Sequence, residues 1–576
     1  MNIIKKLLIA LLLLNAITVA LHAESTTIIE KDNNVTYLLK KQFQKNRVPL
    51  LKHLSNKRFL RNFYYKNNYN PLWMDNKGLK QKKYQELFTH INNDLTLDSN
   101  GHLLKKTEIL KKELENNLTK EETFRMELQL TSLYYNFLKH AIYGEIQWKN
   151  FLGKLHNLRR YRINAKWLKN RPKFDLQTLL ANPNIADTLT EIQPKNFGYQ
   201  KLVEGLKKLY AIKKSGGWKK LPYFKVLKLE STGEIVLQLR ERLKASEDYL
   251  SCESNKTNIL IANINHENNE SFQEPYIDPN AIFGTCLDKA VKHFQKRHGL
   301  KIDGIVGGGT QRALNATIDE KIERVLLNID RIKWLPRHEN ERYLIVNLPE
   351  FMLHYIEDKK VKKQIRVIIG DKKHPTPIFS QEISYVVLNP YWKIPPGITK
   401  REIIPSVIKN RNYLKKQGLV IRRTWSESSK IINPYNIYWE QYLWSGMKFP
   451  YRIMQPPGPK NALGKIKFKF PNQFAVYLHD TPTHHLFKKD IRAFSHGCVR
   501  ISEPHSLLET IASFNENIKM DKADKILEGK RKVQYNIKNK LPIYLVYLTA
   551  GVNDENQLEF RNDIYRYDEF MKRSIK

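Results

Sequence analysis

The sequence predicts a multidomain α+β protein. The chain has 576 residues, which suits roughly three or four domains, and 41% of them are hydrophobic. Helical spacing of apolar residues dominates before Arg342, whereas short β-branched segments bounded by turns follow it. We expect a mainly helical N-terminal scaffold, a small three-helix module, a mostly β domain with an inserted helical and aromatic capping subdomain, and a C-terminal tail. The predicted bounds are 24–227, 228–316, 317–550 with the insertion at about 395–455, and 551–576.

The first 23 residues predict a signal peptide. Lys5 and Lys6 precede an almost wholly apolar run, Leu7–Leu21, and Leu21–Ala23 forms a passable cleavage site. The run is at the short end for a transmembrane helix, so an uncleaved N-terminal anchor is the alternative. Both interpretations predict export, and membrane contact is expected only if the segment is retained.

The composition is strongly basic. The chain has 98 Lys and Arg residues against 58 Asp and Glu, a formal net charge of +40. Such a charge favours anionic partners. Export argues against nucleic acid and favours anionic envelope polymers or lipid headgroups. Because the lysines are spread along the whole chain, a general compositional habit with solvated surfaces is the alternative explanation.

Four segments before Arg342 have helical spacing. The first lies in the scaffold and the last precedes the β domain, whereas the middle two belong to the module. An insertion of about thirty residues, Ser251–Asp278, separates the two module helices, and a Gly-rich turn, Gly299–Gly307, follows the second. The four predicted helices are Thr123–Tyr143, Ile235–Leu243, Leu287–His298 and Asp319–Leu335.

The segments after Arg342 predict strands. They are Tyr343–Asn347, Met352–Ile356, Lys363–Gly370, Ser384–Asn389, Gln473–Leu478 and Ile543–Thr549. The insertion at about 395–455 is too long for a plain loop, and such insertions are commonly lids. It contains a predicted helix, Thr399–Gln417, and a dense set of tryptophans, tyrosines and a phenylalanine.

A cysteine and a histidine near the C-terminus have the parts of an activated thiol nucleophile. Residues 495–500 read SHGCVR, so Cys498 follows a glycine-containing turn, and His479 precedes this turn by a short loop. The thiolate is the reactive form of cysteine, and a neighbouring imidazole can take its proton. The backbone N–H groups of His496, Gly497 and Cys498 can form an oxyanion hole.

This pattern resembles the signature of the L,D-transpeptidases, which cross-link bacterial peptidoglycan. That signature is a histidine, a loop, Ser or Thr, then His-Gly-Cys, an aliphatic residue and Asn or Arg. The module resembles the helical peptidoglycan-binding domain of wall enzymes, on the strings AV, FQ, GL and DGIVG between Ala290 and Gly307. The order of scaffold, module, interrupted β domain and tail resembles the large, capped L,D-transpeptidases of Gram-negative envelopes.

The resemblance implies roles for the site residues. Cys498 is the expected nucleophile and His479 the expected base, oriented by the backbone carbonyl of Asp480. His496 is the best alternative base, and two further histidines, His484 and His485, are interpreted as loop or rim residues. The expected substrate-binding residues are Arg500, Tyr477 and Trp392, with a structural ion pair as the alternative for Arg500 and core packing for the two aromatic residues.

The resemblance also implies the reaction. A tetrapeptide stem would be the donor, the side-chain amine of a diaminopimelate the acceptor, and a 3→3 cross-link the product, with carbapenems acylating Cys498. The alternatives are an L,D-carboxypeptidase, attachment of a protein to the wall, or a non-catalytic wall-binding protein. The cysteines and histidines show no zinc-ligand pattern, so no metal and no cofactor are expected. Peptidoglycan is the expected partner, other cell-wall enzymes are candidate partners, and the periplasm or cell envelope is the expected location.

Two cysteines remain once Cys498 is assigned. Cys252 and Cys286 lie in one small region, and in an oxidising compartment they predict a disulfide, with two buried thiols as the alternative.

Overall fold

The computed structural model describes residues 35–44, 54–97, 101–170, 172–249, 278–337, 340–444 and 447–575. The predicted signal peptide, 1–23, and Cys252 lie outside these residues. Across the described ranges, no helix is long and apolar enough to cross a membrane. The predicted α+β class is confirmed, because helices make up the N-terminal part and a large sheet dominates the C-terminal part.

The chain divides into two compact units. The first contains Met1–Glu145 and Arg171–Pro194, and the second contains Ile146–Asn170 and Lys195–Lys576. Residues 146–170 and 195–227 of the predicted scaffold fall in the second unit, and its bounds, 24–227, stay a prediction. Phe151 and Trp167 belong to the second unit because they are buried in the hydrophobic core of the β domain.

The first unit is a helical bundle with one short hairpin, β1 (Met74–Asp75) and β2 (Gly78–Leu79). Its longest helix begins at a capping box of Thr119 and Glu122, which satisfies backbone groups at the helix start. Glu127 on this helix is fully buried and accepts hydrogen bonds from the backbone N–H groups of Leu72 and Trp73. The helices are Val35–Gln44, Lys57–Lys66, Gln81–Asn93, His102–Leu114, Lys120–Tyr143, Leu176–Ala181 and Ile185–Ile192.

The second unit contains the strands that carry the candidate site. In chain order they are β3 (Arg342–Asn347), β4 (Met352–Glu357), β5 (Lys360–Gly370), β6 (Phe379–Leu388), β7 (Trp392–Lys393), β8 (Val420–Arg422), β9 (Ile431–Ile432), β10 (Arg452–Gln455), β11 (Ile466–Lys469), β12 (Leu478–His479), β13 (Ala493–Ser495), β14 (Val499–Ile501), β15 (Val533–Val546), β16 (Ala550–Val552) and β17 (Leu558–Phe560).

Nine of these strands, counted within the described residues, form one sheet in the order β13-β5-β14-β12-β11-β6-β15-β3-β4. An additional pairing between β4 and β5 closes this sheet on itself. Alternate residues of each strand, such as Phe468 and Leu478, are fully buried in the core cluster. The residues between them therefore project to the opposite face, where the candidate site lies.

The helices of the second unit flank this sheet and build the module. The predicted helix Asp319–Leu335 is observed as Ile318–Lys333, which begins at a capping box of Thr317 and Glu320. The described helices are Trp148–Asn157, Tyr199–Lys214, Glu234–Ala245, Thr285–Arg297, Gly308–Leu314, Ile318–Lys333, Pro396–Ile398, Ile404–Lys409, Tyr413–Gln417, Gln441–Trp444, Pro504–Ala512, Met520–Glu528 and Tyr567–Lys572.

A buried ion pair fixes the module. The Asp248 carboxylate is fully buried and accepts two hydrogen bonds from the Arg297 guanidinium, at 2.8 and 2.6 Å. His293 contacts the same carboxylate at 2.9 Å. Arg297 also donates to the carbonyl of Leu558 in β17, which ties the module to the C-terminal hairpin. Burial alone would raise the pKa of Asp248, but the hydrogen bonds from His293 and Arg297 outweigh it and lower the pKa.

Replacing Asp248 with alanine should destabilise the module by about 3–5 kcal/mol, because the Arg297 charge stays buried without its partner. Hydrogen exchange of the module amides measures this as a lower opening free energy. The exposed pair of Glu241 and Lys244 on the same module supplies the control, since Glu241→Ala should cost less than about 1 kcal/mol. Equal protection in the two variants would contradict the prediction.

The contribution of Asp248 to stability depends on pH. Because its pKa is lowered in the folded protein, this contribution is present above the ordinary pKa of 3.8 and is lost as the pH falls through the lowered pKa.

The capping insertion has its own core and its own sheet. Its described strands pair in the order β7-β10-β8-β9, which the sequence did not predict. The predicted helix Thr399–Gln417 is broken: a π-helical turn, Thr399–Ile403, and two short helices replace it, and Asn410 starts the break with an extended backbone. Trp439 is fully buried and stacks on Phe449, so part of the aromatic set is core packing.

The predicted C-terminal tail is an integral part of the β domain. Tyr565, Tyr567 and Met571 are buried in its hydrophobic core. The Tyr565 hydroxyl donates to the carbonyl of Gly370 at 2.6 Å, at the end of β5.

Candidate active site

Three strands bring a row of basic side chains to one face of the sheet. Lys467 on β11 pairs directly with His479 on β12, and His479 pairs directly with Arg500 on β14. Directly paired residues project from the same face of a sheet. Cys498 is two residues before Arg500 and Tyr477 two residues before His479, so both approach the same face.

The turn that presents the cysteine, Ser495–Cys498, is held against the end of β5. Ser495 pairs with Gly370, and the Asp371 N–H donates to the Ser495 carbonyl at 2.9 Å. Gly497 has a φ of +113°, a conformation that residues with a Cβ rarely adopt. Gly370 is the close-approach position, because a Cβ there would lie 3.1 Å from the Gly497 Cα.

His479 is held in one orientation. Its ring is 4% exposed, and Nδ1 donates to the backbone carbonyl of Asp480 at 2.5 Å, as the resemblance implied. This hydrogen bond fixes the tautomer and leaves Nε2 with its lone pair. Burial lowers the pKa of His479 to about 3, and the charge of Arg500 acts in the same direction. The imidazole is therefore neutral at pH 7 and able to accept a proton.

The Asp480 side chain serves the loop and not the histidine. Its carboxylate accepts hydrogen bonds from the N–H groups of Lys465 and Thr481, at 2.8 and 2.7 Å. A Cβ at Gly464 would overlap this carboxylate, so the glycine permits the contact.

Cys498 is half-buried, and its sulfur lies 3.8 Å from the carbonyl oxygen of Ala475. Within the described residues, no hydrogen bond joins this sulfur to His479. Burial raises the pKa of the Cys498 thiol, whereas hydrogen bonding by Tyr477 and the charge of Lys467 oppose this effect. Catalytic hydrogen bonds are often long in a free enzyme and tighten when substrate binds.

The predicted oxyanion hole needs a correction. The Gly497 N–H donates to Ser495 Oγ at 3.0 Å, and this hydroxyl donates to the Cys498 carbonyl at 2.5 Å. The Gly497 N–H is therefore engaged inside the turn. The N–H groups of His496 and Cys498 have no acceptor among the described residues, so these two remain the candidate donors.

Two of the predicted substrate-binding residues lie beside the cysteine. Tyr477 shields the site, with its ring centroid 5.6 Å from that of His479. Arg500 donates to Thr483 Oγ1 at 3.2 Å, and no carboxylate among the described residues pairs with it. The third, Trp392, is packed partly against the hydrophobic core of the capping insertion, because it lies in the short strand β7 of the cap sheet. This packing is the alternative raised for Trp392, and its place in the substrate cleft stays a prediction.

The competing histidines are engaged elsewhere or exposed. His496 Nε2 lies 2.8 Å from the Glu402 carboxylate of the capping insertion, and the His496 ring contacts the His374 ring at 4.8 Å. His484 and His485 are exposed on the loop between β12 and β13. Cys286 lies in the first turn of the helix Thr285–Arg297, but its predicted partner, Cys252, lies outside the described residues, so that disulfide stays a prediction. Across the described chain, no group of three or more His, Cys, Asp or Glu could hold a metal ion.

Sequence reasoning missed Lys467, Gly370 and Glu402. The role of each residue depends on a contact between segments that are distant in the sequence. Only Lys467 could have been found from the sequence, because apolar and basic residues alternate in Ile466–Lys469 and this alternation puts Lys467 on the polar face of the strand.

Family comparisons match three segments of the chain. Residues 341–513 match the model named YkuD, described as the L,D-transpeptidase catalytic domain, and they include Cys498 and His479. Residues 341–513 therefore belong to the L,D-transpeptidase catalytic-domain family. Residues 58–206 match a scaffold domain, and 269–314 match a "Putative peptidoglycan binding domain". The resemblance seen in the sequence is thereby confirmed.

The chain is also similar to individual proteins. A Haemophilus influenzae protein named "Putative L,D-transpeptidase" is 31% identical over 249 residues, which are 43% of this chain and 48% of that protein. The chain thus spans about half the length of this curated relative. An L,D-transpeptidase structure from Mycobacterium smegmatis is 11% identical with a TM-score of 0.17, covering 36% of this chain and 58% of that one. One from Stackebrandtia nassauensis is 14% identical with a TM-score of 0.18, covering 57% and 96%.

Proposed function

We propose that this protein is a peptidoglycan L,D-transpeptidase that forms 3→3 cross-links through a thioester on Cys498. The supporting observation is the orientation of His479, whose Nδ1–H bonds to the Asp480 carbonyl and whose neutral Nε2 is left to act as a base beside the strand that follows Cys498. The sequence match of the catalytic domain and the match of the module are consistent with peptidoglycan as substrate.

The first step is acylation. The thiol proton passes to His479 Nε2 while the sulfur attacks the carbonyl of the third residue of a tetrapeptide stem, a meso-diaminopimelate. The N–H groups of His496 and Cys498 stabilise the oxyanion. His479 then returns the proton to the nitrogen of the terminal D-Ala, which leaves as the C–N bond breaks, and a thioester remains on Cys498.

The second step transfers the acyl group. The side-chain amine of another diaminopimelate attacks the thioester, loses a proton to His479 and forms the new amide. The thiolate leaves and recovers the proton from His479. Arg500, which has no carboxylate partner among the described residues, is suited to hold a stem carboxylate.

The capping insertion favours an amine over water as acceptor. Glu402 of the cap contacts His496 in the turn that carries Cys498, so the cap reaches the site. A cover that excludes water protects a thioester from hydrolysis. The module and the net charge of +40 would keep the protein on anionic peptidoglycan, in the periplasm or elsewhere in the cell envelope.

Muropeptide analysis by mass spectrometry tests this proposal. The purified protein and its Cys498→Ala variant are incubated with disaccharide-tetrapeptide, and a 3→3-linked dimer is expected only with the unchanged protein. His505 is an exposed residue of the helix Pro504–Ala512, outside the site, so His505→Ala is the matched control and should leave dimer formation intact. Tripeptide without dimer would mean that water is the acceptor. Dimer formation by Cys498→Ala would refute the assignment of the nucleophile.

A further inference from the structure

Lys467 is placed beside the nucleophile by the register of three strands. On β11, Ile466 and Phe468 are buried in the core, so Lys467 projects to the face that carries His479. Its Nζ lies 3.7 Å from the centroid of the Tyr477 ring. The Val499 N–H donates to the Tyr477 carbonyl at 3.1 Å, so Tyr477 lies between Lys467 and the segment that carries Cys498.

The Lys467 cation has no acidic partner. In the part of the chain that the structure describes, no carboxylate forms an ion pair with it. The ionisable groups around Lys467 are basic or neutral, and Lys532 among them is paired with Glu427. Glu402 is paired with His496 of the cysteine turn. The other groups are Lys393, Lys469, Tyr477, His479, Cys498 and Arg500.

A half-buried cation without a partner is unfavourable unless an anion is present for part of the reaction cycle. Burial lowers the pKa of Lys467 to about 8, and the negative charge of a Cys498 thiolate opposes this effect. Cys498 is the acidic group of the site that can supply such an anion. Lys467 and a Cys498 thiolate therefore satisfy each other's need for a counter-charge.

We propose that Lys467 supplies the positive charge that stabilises the Cys498 sulfur as its thiolate. This inference rests on the proposed function only in treating Cys498 as the nucleophile. Lys467 acts through space and through Tyr477, and so is a positioning residue. His479 stays the proton acceptor, because its imidazole is neutral and its Nε2 is unoccupied.

The pH dependence of Cys498 alkylation by iodoacetamide tests this inference without peptidoglycan. Because Cys498 is the free cysteine of the described chain, the modified peptide is followed by mass spectrometry. Lys467→Met keeps the length of the side chain and removes its charge. It should raise the pH midpoint of Cys498 alkylation by about one unit, which makes alkylation near pH 7 about tenfold slower. Lys467→Arg should retain the wild-type midpoint because it restores the charge.

Lys469→Met is the matched control, since Lys469 lies on the same face of β11 but contacts Tyr385. Its alkylation midpoint should stay within about 0.3 pH units of the wild type. Thermal unfolding of each variant shows whether the fold is kept, and Lys467→Met should unfold no earlier than the wild type because it removes a desolvated charge.

Three outcomes would overturn the inference: a Lys467→Met profile that coincides with the wild type, an equal shift in Lys469→Met, or a rise in KM for the tetrapeptide without any shift in alkylation. The last would assign Lys467 to a substrate carboxylate. A shifted midpoint in a protein that forms no cross-link would leave this inference standing and refute the proposed function, so the two failures are distinguishable.

Discussion

Replacing His479 with asparagine should lower the turnover of tetrapeptide stems by about 10²–10⁴-fold. An asparagine amide can still donate to the Asp480 carbonyl, but it offers no base at the position of Nε2. The loss should appear mainly in kcat, because His479 acts on the proton of the reacting thiol. Initial rates of D-Ala release from a disaccharide-tetrapeptide measure it.

The control for this variant is the alternative base. His496→Asn should lose much less activity, because His496 is engaged by Glu402 and its ring contacts His374. Alkylation of Cys498 at pH 10, where the thiol needs no base, should be equal in both variants if the fold is intact. Retained turnover in His479→Asn together with a large loss in His496→Asn would transfer the role of base to His496.

The low pKa of His479 also fixes the sign of a pH effect. An imidazole with a pKa of about 3 stays neutral as the pH falls from 7 to 5, so its protonation should not reduce kcat/KM in that range. A histidine at its ordinary value of 6.5 would lose most of its basic form over the same interval.

The sequence predicted the parts of the site that lie close together in the chain. The Cys498 turn, His479 and the orienting carbonyl of Asp480 belong to one local motif, so their chemistry can be inferred from their order. Lys467 could not be assigned in this way, because its place beside Tyr477 depends on the register between β11 and β12. A shift of one residue would turn Lys467 into the core.

The errors have equally physical causes. The Gly497 N–H was predicted to donate to the oxyanion because it shares the turn with Cys498. In the structure it donates instead to the Ser495 hydroxyl of the same turn. The sequence left Trp392 between the cleft and core packing, and it did not show that this segment joins the cap sheet. The sequence does not show that the C-terminal tail packs on the β domain. The contacts of the tail, such as that of Tyr565 with Gly370, join segments almost two hundred residues apart.

Replacing Gly370 with alanine should lower turnover by about a hundredfold. The new Cβ would lie 2.0 Å from the His374 carbonyl oxygen, 2.8 Å from the Thr376 nitrogen and 3.1 Å from the Gly497 Cα. All three are backbone atoms, and the backbone of Gly370 is itself held, because its N–H donates to Thr376 Oγ1 and its carbonyl accepts from Tyr565. The loop that carries His374 and Thr376 must therefore shift first, and the shift reaches the Cys498 turn because the His374 ring contacts the His496 ring at 4.8 Å.

A displacement of about 1 Å at a reacting group is enough for a loss of this size. The same strain should cost about 1–3 kcal/mol of stability, measured by thermal unfolding. Gly551→Ala in β16 is the matched control, because a Cβ at Gly551 meets no atom within 4 Å and should change neither quantity. Near-wild-type turnover in Gly370→Ala would mean that the loop around His374 yields, and that the contact between β5 and the turn does not position Cys498.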